Sequence, residues 1–167
     1  MIVNRKQPNS KKCIICGVDN PYGLAAPFYE LSDGSVVTRF RYRELHQSYP
    51  GRAHGGMITC MLDELAGRAI WVSEPDALAV TTTISVKFRK PVPYDAELFG
   101  RGIIVSNSRR GFQAIARIFD REGHVLAEAD VTYLKLPSAT ITDADMHEEL
   151  DVNIPDGVRE WPDELVI

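Results

Sequence analysis

His54-Gly55-Gly56 stands directly before a long apolar stretch that carries two adjacent acids, Asp63 and Glu64. The first peptide N–H groups of a helix have no internal partner and lie at the positive end of its dipole, so a glycine pair there can hold a carbonyl oxygen or an anion at close range. The same triplet can also do no more than turn the chain into the helix, with His54 bonding its own loop. The acids separate on a helical wheel of about 100° per residue. Glu64 falls beside Arg68 on the margin of the apolar stripe, an i,i+4 pair that reads as a solvated salt bridge. Asp63 falls among Thr59, Cys60, Ala66 and Gly67, small residues that leave room for another group to approach. Asp63 is therefore the acid of the two that is a candidate for chemistry.

Spacing constrains how these parts can meet. Eight residues separate Gly55 from Asp63, roughly 12 Å along a helix, whereas a catalytic carboxylate must come within about 3 Å of the reacting atom or its water. One helix cannot bring both to a single carbonyl. Two antiparallel copies across a two-fold axis can, which predicts a homodimer or a homotetramer built as a dimer of dimers.

These residues need a scaffold, and the periodicities supply one. Met57, Ile58, Met61, Leu62, Leu65 and Ala69 predict one helix over 56–72. Segments 26–31 and 35–43 read as strands joined at Ser32-Asp33-Gly34, and 78–88, 96–106, 112–119 and 124–136 read as four more. Short turns at Ser108–Gly111 and Asp120–Gly123 make them antiparallel neighbours. The expected class is α+β, one antiparallel sheet lying against one long helix. Three stretches follow: an N-terminal segment over 1–25, the folded domain over 26–136, and an acidic tail over 137–167.

Composition narrows the setting. A chain of 167 residues with 44% hydrophobic residues suits one packed core. No apolar run reaches the roughly 20 residues of a membrane span, and the first dozen residues are too polar for a secretory signal, so no membrane association and a cytoplasmic location are expected. Three cysteines, an odd number, agree with a reducing compartment. The tail carries nine acids against one base, a net −8, and the preceding 136 residues carry 18 bases against 14 acids, a net +4. The body can attract an anionic ligand, yet it lacks the basic density of a nucleic-acid binder. Arg89-Lys90 and Arg109-Arg110 are candidates for phosphate groups. Cys13 and Cys16 form a CxxC that offers two of the four ligands of a structural zinc, so it reads as buried thiols in a docked segment or as half of a site shared between chains. No metal or cofactor is called for.

His54-Gly55-Gly56 followed by Asp63 on the single long helix, ahead of TTTISVKFRKPV and the remaining strands, resembles the hotdog-fold acyl-CoA thioesterases of the phenylacetate-pathway type. The likeness covers roughly residues 13–136, and CIICGVDNPYGL is similar to the N-terminal segment of a subgroup. It implies a sheet wrapped around a central helix and hydrolysis of acyl-CoA to free acid and coenzyme A. It further implies that Gly56, with Gly55, polarises the thioester carbonyl while Asp63 of the facing subunit acts as base or nucleophile. A substrate-side hydroxyl maps near Thr81. Where relatives carry an amide side chain this sequence has Ser48, with Gln47 adjacent, and the acyl group would lie along Met57 and Met61. Rival readings are a non-catalytic acyl-CoA-binding protein and a hotdog dehydratase or hydratase, although no GHFP-like segment is present.

Overall fold

The computed structural model describes residues 2–150. Seven strands form one sheet in the order β1-β2-β3-β5-β6-β7-β4: β1 Val3–Lys6, β2 Phe28–Leu31, β3 Val36–Phe40, β4 Ala79–Phe88, β5 Leu98–Asn107, β6 Gly111–Phe119 and β7 Val125–Lys135. Every neighbouring pair is antiparallel. Helix α1, Gly55–Arg68, runs on into a 3-10 turn over Ala69–Val72. It is the crossover between β3 and β4, which have three strands between them, and it packs across β3 to β7.

The expected α+β architecture is thus the one observed, with the ends of the six expected strands shifted by up to three residues. The seventh is β1, in a segment expected to lie outside the sheet. Its residues are largely exposed and show no apolar alternation, and what holds it is pairing with β2 together with an Arg5–Glu30 ion pair at 2.6 Å.

The buried face of α1 is Ile58, Met61, Leu62, Leu65 and Ala66, as the spacing requires. The sheet meets it through Ala114, Ala116, Ile118, Ala127, Ala129 and Val131, small or branched residues at alternate positions of β6 and β7. On β5 the helix comes closer still. A Cβ added at Gly102 would lie 2.2 Å from the Leu65 carbonyl oxygen, so only glycine lets the two backbones approach this far. Gly102→Ala should therefore force helix and sheet apart at about 1–3 kcal/mol, lowering the melting midpoint by roughly 5 °C. An unchanged midpoint in a calorimetric scan would mean that α1 shifts freely on β5.

The tail begins inside the described residues as two short helices, α2 Ser138–Ile141 and α3 Met146–Leu150, and Glu149 Oε1 accepts from the Lys11 N–H at 3.2 Å. The rest of the acidic tail lies outside the described residues. Among them, no helix is long and apolar enough to cross a membrane.

Candidate active site

Two sets of groups lie at opposite ends of α1. At its start, His54 has extended backbone (φ −67°, ψ 138°), and its side-chain Nδ1 accepts from the Gly56 N–H at 2.9 Å. The imidazole thus fills the place usually taken by a serine or aspartate cap, and a neutral ring accepting at Nδ1 carries its proton on Nε2. Gly56 is therefore already engaged, and Gly55, the first helical residue, is the N–H that this cap does not use. The side chain of Phe88, at the end of β4, lies 3.5 Å from where a Cβ on Gly55 would sit.

The loop before the helix is tied down by buried His46. Its Nδ1 accepts from Arg43 N–H at 3.0 Å, its Nε2 lies 2.7 Å from Tyr22 O, and its carbonyl accepts from His54 N–H at 2.8 Å. A bridge between Gln47 and Ala53 brings Gln47 beside the helix start, where its Oε1 accepts from Tyr94 OH at 3.1 Å, and Ser48 N–H is bound to Arg52 O at 2.9 Å. Met57 is partly buried against the core, and its carbonyl accepts from Tyr42 OH at 3.2 Å.

Two turns further along, Asp63 is held by its own chain. Thr81 Oγ1 on β4 donates to Asp63 Oδ1 at 2.7 Å. Tyr133 OH on β7 lies 2.6 Å from the Asp63 carbonyl oxygen and 2.9 Å from Oδ1. Neither bond uses Oδ2. Burial first, and then the charge of Asp63, holds the Tyr133 phenol well above its ordinary range, so it stays protonated and acts as a donor. Its ring stacks on Phe112 with centroids 4.5 Å apart. A Cβ on Gly67 would sit 3.4 Å from the tyrosine oxygen, an ordinary contact. Tyr133 and Thr81 of the same sheet take up part of the small face around Asp63, and Ala66 is buried in the core.

Asp63, Thr81 and Tyr133 open on a cavity of about 270 Å³ whose other wall includes Cys13, Cys16, Glu64 and Arg68. The reading of Glu64 and Arg68 as a solvated surface pair is also overturned. Arg68 is 3% exposed, its Nε donates to Glu64 Oε1 at 2.7 Å, and its guanidinium lies 4.2 Å from the centroid of the Phe28 ring and 5.0 Å from that of Trp71. It also donates to the Pro8 carbonyl at 3.0 Å, so it anchors the N-terminal segment to the end of α1. The wheel placed the pair correctly at the stripe margin but could not show that the N-terminal segment covers that margin. Glu64→Gln keeps the shape and an acceptor but leaves a buried guanidinium without its counter-charge. The expected loss is about 1–3 kcal/mol, read as a lower urea midpoint at unchanged slope. A neutral result would return the pair to the surface class.

The basic candidates separate as well. Arg89 is bound to Glu128 Oε1, with Nη2 at 2.5 Å and Nε at 3.2 Å. Lys90 lines a groove with Arg52 and Arg121. Both follow Phe88 and so lie at the helix-start end. Arg109 and Arg110 are exposed on the β5–β6 turn, and Arg110 lines a second groove that shares Tyr133 with the Asp63 cavity. Tyr133 itself was missed in the sequence. The signal was there: in ADVTYLK it shares the inward phase of Ala129 and Val131, and a buried tyrosine hydroxyl must find a partner.

The family model of the thioesterase superfamily matches residues 50–127, the span from the loop before His54 through β4, β5 and β6. Over residues 50–127, a little under half of the chain, the sequence is similar to the thioesterase superfamily. Solved thioesterase-superfamily structures share this fold, the hotdog fold. One thioesterase-superfamily protein is 24% identical at a TM-score of 0.68, over 73% of this chain and 59% of its own, so the chain spans less than two thirds of that protein. A hypothetical thioesterase from Streptococcus pneumoniae TIGR4, solved with coenzyme A, is 23% identical at a TM-score of 0.60, over 66% of this chain and 85% of its own. A Bacillus halodurans protein solved with CoA is 22% identical at a TM-score of 0.59, over 66% of this chain and 74% of its own. No curated protein matches the chain. The superfamily match spans the helix-start donors, Asp63 and Thr81, while Tyr133 and the Cys13–Cys16 wall come from outside it.

Proposed function

We propose that the chain hydrolyses acyl-CoA thioesters to the free acid and coenzyme A. The observation that carries this reading is Asp63, a carboxylate whose Oδ1 is fixed by Thr81 and Tyr133 and whose Oδ2 is used by neither, at the wall of a cavity. Either Oδ2 takes a proton from water as the water oxygen attacks the thioester carbonyl, or it attacks directly to give a mixed anhydride that water then cleaves. In both routes the carbonyl oxygen becomes an oxyanion, the C–S bond breaks, and coenzyme A leaves as a thiolate that takes up a proton. The oxyanion is held by the Gly55 N–H at the positive end of α1, with His54 keeping the helix start closed by occupying Gly56.

Gly55 and Asp63 are two turns apart on one helix, so the site is completed by a second copy, the helix start of one chain facing Asp63 of the other. The edge of the sheet supports such pairing. Strand β4 carries both Thr81 and Phe88, has a sheet neighbour on one side only, and is exposed or half-buried along its ten residues. A long uncovered edge of this kind is a template for another chain. In a shared site the basic groups at both ends of β4, Arg89 and Lys90 from one chain and Arg109 and Arg110 from the other, come to the same substrate, where they would meet the coenzyme A phosphates. CoA in the Streptococcus and Bacillus structures supports that ligand.

The test is free-thiol release from a panel of short, long and aromatic acyl-CoAs, paired with isothermal calorimetry of coenzyme A. Turnover establishes the hydrolase. Binding without thiol release identifies a non-catalytic acyl-CoA-binding protein, and the absence of both overturns the proposal.

A further inference from the structure

The CxxC offers two metal ligands in the sequence, and the fold adds a third. Cys13 Sγ, Cys16 Sγ and a Glu64 carboxylate oxygen lie within 4.8 Å of one another, with Cys13 Sγ 3.7 Å from Glu64 Oε2. A tetrahedral zinc ion with Zn–S of about 2.3 Å and Zn–O of about 2.1 Å holds such a sulfur and oxygen about 3.5 Å apart. The contact is therefore already near the separation an ion would impose.

In the ion-free chain Cys13 Sγ donates to Glu64 Oε2, so an ion bound here takes the place of that proton. The N–H groups of Ile15 and Cys16 both point at Cys13 Sγ, at 3.3 and 3.5 Å. Ser10 Oγ accepts from the Cys13 N–H at 3.1 Å, which frees its own proton for Cys16 Sγ at 3.3 Å. Glu64 Oε1 is taken by Arg68, leaving Oε2 turned to the sulfurs. Two thiolates and Glu64 carry −3 and Arg68 carries +1, so a divalent cation brings the buried cluster to neutrality. All three ligand side chains line the cavity that holds Asp63, which leaves a fourth coordination position open to solvent. Cys60 is not among these ligands.

We propose that Cys13, Cys16 and Glu64 bind one zinc-class divalent ion per chain, with water from the Asp63 cavity as the fourth ligand. The ion joins the N-terminal segment to α1 one residue away from Asp63. Soft thiolates select zinc or cobalt over magnesium or calcium. The hydrolytic steps above do not pass through it, so this site stands or falls independently of thioesterase activity.

The experiment is a titration of the reduced, chelator-stripped full chain with cobalt(II) chloride. One equivalent should produce thiolate-to-cobalt charge-transfer bands and strong visible bands of a tetrahedral site, both bleached by one equivalent of zinc. Cys16→Ser should weaken cobalt binding by about 100-fold or more. Glu64→Gln should keep the charge-transfer bands with about 10-fold weaker binding, and Cys60→Ser should change neither. Absence of the bands in a folded, fully reduced wild-type chain overturns the proposal, as does loss of the bands in Cys60→Ser. If Cys16→Ser fails to fold, X-ray absorption of the zinc-loaded wild-type chain decides: two sulfurs with oxygen completing the shell support the site, and four sulfurs or none refute it.

Discussion

Asp63→Asn is expected to lower kcat by about 10²–10⁴-fold with little change in KM, the range that a positioned proton acceptor supplies. The substitution keeps the side-chain volume, and the amide oxygen can still accept from Thr81 and Tyr133 as Oδ1 does at 2.7 and 2.9 Å. What it removes is the basicity and nucleophilicity of Oδ2. Tyr133→Phe is the companion. It leaves the carboxylate in place but removes one of its two donors, so its smaller loss should fall on kcat as well. The pair is read by steady-state thiol release with folding checked by circular dichroism. Wild-type kcat in Asp63→Asn would remove this residue from the chemistry, and a larger loss in Tyr133→Phe than in Asp63→Asn would reverse the assigned order.

Two inactive chains should restore activity to each other when mixed. Gly55→Pro deletes the N–H at the first helical position, where proline is well tolerated, and the extended His54 before it (ψ 138°) already has the backbone that a following proline requires. It removes the proposed oxyanion donor without disturbing α1, at an expected 10²–10³-fold in kcat. Gly55→Ala retains the N–H and places its methyl 3.5 Å from Phe88, an ordinary contact, so it controls for added bulk. In a mixed dimer of Gly55→Pro and Asp63→Asn chains, one of the two sites combines an intact Gly55 with an intact Asp63. Random pairing at equal amounts therefore returns about a quarter of wild-type activity. Co-expression with two affinity tags isolates the mixed species. No rescue in verified mixed dimers, or full activity in a chain shown by sedimentation to be monomeric, would place both functional parts within one chain.

The sequence by itself determined what depends on near neighbours. The stripe Ile58, Met61, Leu65 specifies a helix and its buried face because residues three and four apart share a side. Ser32-Asp33-Gly34 specifies a hairpin because Gly34 adopts φ +82° freely. That His54 bonds its own loop was one of two readings left open by the sequence, and that its ring would take the Gly56 N–H and leave that of Gly55 was not legible. Only the tertiary structure decided what Asp63 and Glu64 are for. Tyr133 reaches Asp63 from 70 residues away, and Cys13 reaches Glu64 from 51. Such contacts depend on strand register and on how the N-terminal segment docks, and no local periodicity encodes either. On the wheel Asp63 faced empty space and Glu64 faced water. In the fold one faces a tyrosine hydroxyl that donates to it, and the other faces a buried arginine and two thiols.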